Sequence, residues 1–361
     1  MEKGEYNRGM SLQVGIVGLP NAGKSTLFNA LLGKQKALTA QYAFATIDPN
    51  KGVVGVPDSR LDRLSNATGI DNKKQAAVTF IDIAGLVKGA AQGEGLGNQF
   101  LGQIREVDLI CHVLADFEAE GVEKIGKNPL DDYQTVYVEL ILKDLETVEK
   151  ALERLGVNQK EEKRILENVY ESLDEGVPVR EQEERTSEEV EELNLLTIKD
   201  EIVVVNVDED KLGEIEEIER KIGQELGVPT IALAARLEEQ VWQLLEEERE
   251  EFLQELSILE LGLNRLIKVA FGKLGLIIFY TTTSEEEIRA WPVKRGIEAK
   301  KAAGVVHTDF EEKFIKARVI DWEEYADWGS WQKAAQEGKV RLVGADYKIE
   351  DGQVVEFISG S

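Results

Sequence analysis

The sequence predicts an α/β protein built on a mostly parallel sheet with helices on both faces, carrying a helical insertion and followed by a separate β-rich region. Three observations carry this prediction. Short apolar runs alternate with helical stretches as far as about residue 233, the pattern of strands buried on both faces. A seam of apolar residues at steps of three and four interrupts the alternation. From about Leu274 the texture becomes short strands divided by turns.

Leu12-Gln13-Val14-Gly15-Ile16-Val17 is short, apolar-rich and followed by glycine, so it reads as a buried strand, with residues 24–32 as the helix behind it. Val78-Thr79-Phe80-Ile81-Asp82, residues 109–114, Ile202-Val203-Val204-Val205 and Thr230-Ile231-Ala232-Leu233 are further buried strands. In the seam, Val138, Ile141, Leu145, Val148, Leu152 and Leu155 share one helix face. Gly156 and Asn158 can end that helix, and Ile165, Val169 and Leu173 supply a returning partner. The expected object is an antiparallel helical hairpin inserted into the sheet domain. The acidic run 181–192 is expected as a solvated face or a mobile loop. In the last region, strands are expected at Leu276-Ile277-Ile278-Phe279-Tyr280, Ile288-Arg289-Ala290-Trp291 and Val354-Val355-Glu356-Phe357, with Glu350-Asp351-Gly352 as the turn before the last. The expected boundaries are 12–130 and 200–272 for the sheet domain, 131–199 for the insertion and 274–358 for the final domain.

At 361 residues the chain has room for two or three such domains. Its 42% hydrophobic and 31% charged content fits a soluble globular protein, and no apolar run approaches the roughly 18–20 residues that span a bilayer. Residues 1–9 are polar and lack an apolar core, so no secretory signal is expected, and the second methionine, Met10, marks them as a tail. The single cysteine, Cys111, excludes an internal disulfide, fits a reducing cytoplasm and reads as a small buried core residue. With 43 Lys+Arg against 69 Asp+Glu, the net charge is −26. Such a chain does not coat nucleic acid indiscriminately, so any RNA contact needs a local basic patch.

Gly18-Leu19-Pro20-Asn21-Ala22-Gly23-Lys24-Ser25 is G-x-x-x-x-G-K-[ST] between an expected strand and an expected helix, the context a phosphate-binding loop requires. Gly18 and Gly23 let the backbone curl until several N–H groups point at phosphate oxygens, and the helix N-terminus adds partial positive charge. Asn21, Ala22, Gly23, Lys24, Ser25 and Thr26 are the expected nucleotide contacts here. Lys24 would bridge the β- and γ-phosphates, and Ser25 would hold Mg²⁺ through its hydroxyl.

Asp82-Ile83-Ala84-Gly85 follows about 58 residues after Lys24. Asp82, at a strand end, would reach Mg²⁺ through water, and Gly85 would present its N–H to the γ-phosphate. The Gly-rich residues 85–97 suit a γ-phosphate sensor, with a static structural loop as the alternative. Thr46 is the candidate for a first switch threonine closing on Mg²⁺, against an ordinary turn threonine. Guanine selection usually rests on Asn-Lys-x-Asp, whereas this chain has Asn206-Val207-Asp208-Glu209. A valine replaces the lysine that packs along the base, and the carboxylate of Glu209 is one methylene longer than aspartate. Losing a bidentate base contact removes about 1–3 kcal/mol of guanine preference. Asn206 keeps an amide suited to adenine's N6/N7 edge. ATP is therefore expected to bind at least as well as GTP, with Ala234 and Ala235 completing the nucleotide contacts.

Taken together, these residues resemble the YchF family, the Obg-like ATPases of the translation-factor class of P-loop GTPases. The resemblance runs from about Val14 to Phe357 and includes the run from Gly18 through Thr26, Thr46-Ile47-Asp48-Pro49-Asn50 and Asp82-Ile83-Ala84-Gly85-Leu86-Val87-Lys88-Gly89-Ala90. It continues through Gly93-Glu94-Gly95-Leu96-Gly97-Asn98-Gln99-Phe100 and Ala302-Ala303-Gly304-Val305-Val306-His307-Thr308-Asp309-Phe310. It implies a GTPase-type P-loop domain, an inserted coiled-coil hairpin and a C-terminal α+β, ubiquitin-like TGS domain. It also implies an ATP preference through Asn206 and Glu209, and association with ribosomes.

Leu86 stands where many GTPases carry the glutamine that orients water, so slow intrinsic turnover is expected. Catalysis is then assigned to Lys24, Gly85 and Asn21, the last as a ligand for a K⁺ that neutralises developing phosphate charge. Two features depart from the family. Residues 115–129 hold no histidine to assist hydrolysis, and the cysteine often found before Thr46 is Ala45. His112, inside an apolar run, reads as a packing histidine. Lys294, Arg295, Lys300, Lys301, Lys313, Lys316 and Arg318, interleaved with Trp291, Phe310 and Phe314, are the densest basic stretch. They are either an RNA contact or ordinary solvated lysines around buried rings. The function expected is a slow, ribosome-associated ATPase switch, acting in the cytoplasm as a monomer without membrane or DNA partners. The alternatives are a nucleotide-gated binding module with negligible hydrolysis and a GTP-preferring GTPase. A metabolic phosphotransferase is disfavoured, because no second substrate pocket is legible.

Overall fold

Ile202, Val203, Val204 and Val205 have no polar residue between them, and all four are fully buried in the computed structural model, on a strand covered on both faces. The structure describes residues 12–39, 50–83, 98–118, 128–156, 158–283 and 286–360. Among these, the strands in chain order are β1 (Gln13–Val17), β2 (Lys51–Gly55), β3 (Lys73–Lys74), β4 (Ala77–Asp82), β5 (Leu109–Asp116) and β6 (Asp200–Val207). They continue with β7 (Thr230–Leu233), β8 (Leu276–Thr283), β9 (Glu287–Lys294), β10 (Phe314–Asp321), β11 (Arg341–Val343) and β12 (Gln353–Ser359).

One sheet runs β2-β4-β1-β5-β6-β7. The pairs β1–β4, β1–β5, β5–β6 and β6–β7 are all parallel. β1 thus lies centrally, and its C-terminal end opens onto the loop from Gly18 between the ends of β4 and β5, where parallel sheets place ligands.

The insertion consists of the helices Pro129–Arg154 and Lys160–Asp174. Asn128 caps the first by accepting from the N–H groups of Leu130 (2.9 Å) and Asp131 (3.0 Å), and Pro129 occupies the first turn, where no N–H is needed. Ile141, Val148, Leu166, Val169 and Leu173 form the hairpin core with Val179, Val190 and Leu195. Val138, the first residue of the expected seam, is instead 49% exposed. The acidic run is a solvated face rather than a mobile loop. It folds into short turns at Val179–Glu181 and Glu183–Thr186 and the helix Glu188–Glu191, anchored by the fully buried Val179 and Val190. Asp144, fully buried, accepts from the Leu196 and Thr197 N–H groups (both 2.8 Å) and the Thr197 hydroxyl (2.7 Å), tying the first helix to the chain that returns to β6. Burial lifts its carboxyl above the usual range despite those donors.

A buried charge network joins the sheet to this insertion. Glu201 on β6 faces Nδ1 of His112 on β5 (3.1 Å) and accepts from the Tyr133 hydroxyl (3.1 Å) and the Arg180 guanidinium (2.9 Å). His112 stacks on Tyr133, and Tyr133 on Tyr137. His112 is the buried packing residue expected, but its partner is a carboxylate.

The second sheet runs β11-β10-β12-β8-β9-β3. β8 and β9 form an antiparallel hairpin, β12 lies parallel to β8, and β10 is antiparallel to both β12 and β11. The helix Ala299–Val306 packs one face, over Ile277, Phe279, Trp291, Ala317 and Val355, an α+β arrangement. Lys73 and Lys74 add an edge strand parallel to β9, and the helix Ser59–Thr68 sets Arg60 over the Tyr280 ring (5.6 Å). Val54–Val78 therefore belongs to one compact unit with Ile267–Ser361, while Leu12–Val53 and Thr79–Leu266 form the other. The expected boundaries placed this stretch with the sheet domain. What regroups it is non-local strand pairing and ring packing, which leave no mark on the local pattern.

Candidate functional site

The loop after β1 is shaped by positions that few side chains tolerate. Gly18 has φ +147°, and a Cβ there would lie 2.3 Å from the Val113 carbonyl oxygen, so only glycine passes this crossing. Gly23 has φ +91°, and its Cβ would fall 2.1 Å from Nδ2 of Asn206. Asn21 is left-handed as well, at φ +65°. The helix Lys24–Thr39 starts directly behind the loop, with Leu27 N–H donating to the Gly23 carbonyl (2.9 Å). Its free first-turn N–H groups and positive end are what an anion requires.

Lys24 is buried and donates from Nζ to the Leu19 carbonyl (2.8 Å). Burial pushes its amine pKa down, and the charge of Asp82 partly restores it. Asp82 closes β4, in register with Ile16 of β1. Burial lifts its carboxyl, opposed by the Lys24 charge and by a hydrogen bond from the Ser25 hydroxyl. Lys24, Ser25 and Asp82 thus converge at the mouth of the loop. Ser25 is exposed and Thr26 half-buried beside it. A hydroxyl and a carboxylate supply hard oxygen donors of the kind Mg²⁺ takes, with phosphate oxygens completing the set. Among the described residues no group of three or more His, Cys, Asp or Glu side chains is arranged to hold a metal by itself.

Asn206, at the end of β6, is buried and bridges two loops. Its Nδ2 donates to the Ala22 carbonyl (3.2 Å), and its Oδ1 accepts from the Ala235 N–H (3.0 Å). The side chain expected to read a base edge is therefore engaged in binding the phosphate loop to the loop after β7; each amide atom retains one further bonding direction. Ala234 and Ala235 are buried at the start of the helix Ala235–Val241. Val207 is packed in the core with Val203, Val205, Leu114 and Leu237, so a base contact from that position would fall to its backbone. Glu209 is exposed at the head of the turn Glu209–Glu214. Asp208 accepts from the Glu118 N–H (2.8 Å), and Lys211 pairs with Asp116 (2.9 Å) across the same strand ends. The bridging role of Asn206 carries no local signal, since its partners lie 184 and 29 positions away. Thr46, Ala45, Gly85, Leu86, the Gly-rich run 85–97 and residues 119–127 lie outside the described residues.

Alanine at Gly23 is expected to lower nucleotide affinity at least about tenfold, because the left-handed backbone and the displaced Asn206 amide each cost about 1–3 kcal/mol. Calorimetric titration with ATP checks this; unchanged affinity would show that the Asn206 bridge is dispensable.

Two family models match the chain: one described as "50S ribosome-binding GTPase" over residues 13–166, and YchF-GTPase_C, described as "Protein of unknown function (DUF933)", over residues 276–359. A Bacillus subtilis protein called ribosome-binding ATPase YchF is 42% identical, covering 96% of this chain and 99% of that protein. The protein of the same name from Escherichia coli O157:H7 is 40% identical over 97% and 99% of the two chains. The solved structure of the Schizosaccharomyces pombe YchF GTPase superposes with a TM-score of 0.87 at 34% identity, covering 98% of this chain and 99% of that one. The names of these relatives differ on the nucleotide, ATPase for the bacterial proteins and GTPase for the Schizosaccharomyces pombe one. With a phosphate-binding loop on a parallel sheet, an inserted helical pair and a C-terminal α+β unit all matched from end to end, this chain belongs to the YchF family.

Proposed function

We propose that this protein is a slow ATPase switch that works on the ribosome, in the cytoplasm. The observation that carries the reading is the convergence of Lys24, Ser25 and Asp82 on the loop from Gly18, joined through Asn206 to the loop at Ala235. Phosphates would lie along the curled backbone with Lys24 at the β- and γ-oxygens, and Ser25 and Thr46, with Asp82 through water, would hold Mg²⁺, which would supply neutralisation of phosphate charge. Asn21 would offer its side-chain oxygen to a K⁺ that neutralises developing phosphate charge, and Gly85 would present its N–H to the γ-phosphate. With Leu86 in the usual position of the water-orienting glutamine, hydrolysis depends on a group that a partner supplies. The bacterial relatives named as ribosome-binding, at 40–42% identity, support the ribosome as that partner.

Phosphate release measured with and without ribosomes tests the reading: marked acceleration is expected, and no acceleration together with no co-sedimentation would overturn it. The nucleotide follows from Glu209 and from Val207, whose buried side chain leaves the base without a lysine platform. In a competition titration ATP is expected to bind at least as well as GTP; a preference for GTP beyond about tenfold, or about 1.4 kcal/mol, would overturn that assignment.

A further inference from the structure

In the unit that contains β8–β12, the sheet face opposite the helix Ala299–Val306 is covered only in part. The helix Ser59–Thr68 lies over it and stops at Gly69, which is left-handed. Past that end the face carries Thr282, Arg318 and Glu356 in place of core residues, and the helices Trp322–Trp328 and Trp331–Gln336 wall the opening. The resulting cavity is about 900 Å³, within the range of small-ligand sites.

Its lining is pre-arranged. The Trp331 indole N–H donates to Thr282 Oγ1 (3.0 Å), and its ring meets Tyr325 edge-on at 5.2 Å between centroids. The ring is locked in place yet remains partly exposed. On the floor, Arg318 and Glu356 pair across β10 and β12 at 2.8 Å with both side chains nearly half exposed, presenting donors and an acceptor side by side. The exposed amide of Gln336 lies at the rim. Lys316 lies two residues before Arg318 on the same strand face.

We infer that this cavity receives a single unpaired nucleobase, stacked on Trp331 and read along its edge by the Arg318–Glu356 pair and Gln336. A fixed aromatic ring stacks any base. A guanidinium beside a carboxylate complements guanine, whose O6 acceptor adjoins its N1 donor. Recognition of splayed-out bases by such sets is how unpaired RNA is read. A lysine- or arginine-bearing peptide fits less well, because the lining already holds a cation and its charges cancel. The base comes from RNA or from a free nucleotide; the RNA source rests on the ribosome reading above.

The test uses the full chain with the phosphate loop saturated by a non-hydrolysable ATP analogue. Binding of a short, labelled, guanosine-containing single-stranded RNA is followed by anisotropy. Trp331→Ala and Arg318→Ala are each expected to weaken it at least about tenfold, and an abasic nucleotide in place of the guanosine should do the same. Gln336→Ala, at an exposed position that leaves the fold intact, is expected to weaken it about threefold, close to the loss of one hydrogen bond. Competition by GMP at the same site assigns free nucleotide as a ligand; binding of the RNA without such competition assigns RNA. Equal affinity for intact and abasic RNA, wild-type affinity in all three variants, or preferential binding of an arginine peptide overturns the inference. Ribosome co-sedimentation of the wild type, run in parallel, separates this result from the wider reading, since either can fail while the other stands.

Discussion

Replacing Lys24 with alanine is expected to abolish detectable ATP turnover and to weaken ATP binding severely, while the protein stays folded. Among the described residues the Lys24 amine is the cation that lies against both the loop from Gly18 and Asp82, and its removal takes that charge from the site. Removing one pre-oriented donor of this kind costs about 10²–10³-fold in turnover. Stability should move the other way or not at all. Burial lowers the Lys24 pKa, so holding the ammonium here costs free energy that alanine does not require. Calorimetry with ATP and a thermal melt separate the two effects. A variant that melts like the wild type but neither binds nor hydrolyses is the expected result; a variant that retains turnover would remove Lys24 from the site.

Glu201→Ala is expected to cost about 3–5 kcal/mol of stability by urea unfolding. It strands the Arg180 guanidinium, whose side chain is 8% exposed, and leaves His112 and the Tyr133 hydroxyl without their shared acceptor. Glu201→Gln keeps the shape and one acceptor oxygen and should recover part of the loss. The wild type carries a pH signature. Burial alone would raise the Glu201 pKa, but the hydrogen bond and charge of His112, the charge of Arg180 and the Tyr133 hydroxyl outweigh it and hold the carboxyl below its ordinary 4.5. The contribution is therefore complete above about pH 4.5 and is lost as pH falls through the depressed folded-state value. Stability of Glu201→Ala should be flatter than wild type in that acid window. Parallel curves there would mean the carboxylate is not the ion-pair partner.

How much was legible in the chain follows the reach of each feature. The phosphate loop is contiguous: strand, turn and helix occupy neighbouring positions, and glycine at 18 and 23 answers local backbone demands. The parallel strands were legible because burial on both faces leaves an unbroken apolar run, as in Ile202-Val203-Val204-Val205. The helical hairpin showed itself by period, though Val138 and, one turn on, Leu142 are both 49% exposed on the same helix face. The strand Phe314–Asp321 was not read as one, because Lys313, Lys316 and Arg318 drew the reading of a basic stretch over the alternation of covered and open positions. The acidic run gave no hint that it is anchored, because Val190 is the one apolar residue within 181–192 and Val179 lies just before it, too few to set a period.

The residue string alone displayed the G-x-x-x-x-G-K-[ST] loop at residues 18–25 and the run Asn206-Val207-Asp208-Glu209, which differs from Asn-Lys-x-Asp. Only the tertiary structure decided that Asn206 is the bridge between Ala22 and Ala235, that Val207 turns into the core, and that residues 54–78 fold with the C-terminal sheet. It alone set Glu201 against Arg180, His112 and Tyr133, and gathered Trp331, Arg318 and Glu356 around one cavity. The physical reason is common to all of these. Period and turn chemistry act over a few residues, whereas a hydrogen bond spanning 184 positions exists only once the sheet order has brought its two ends together.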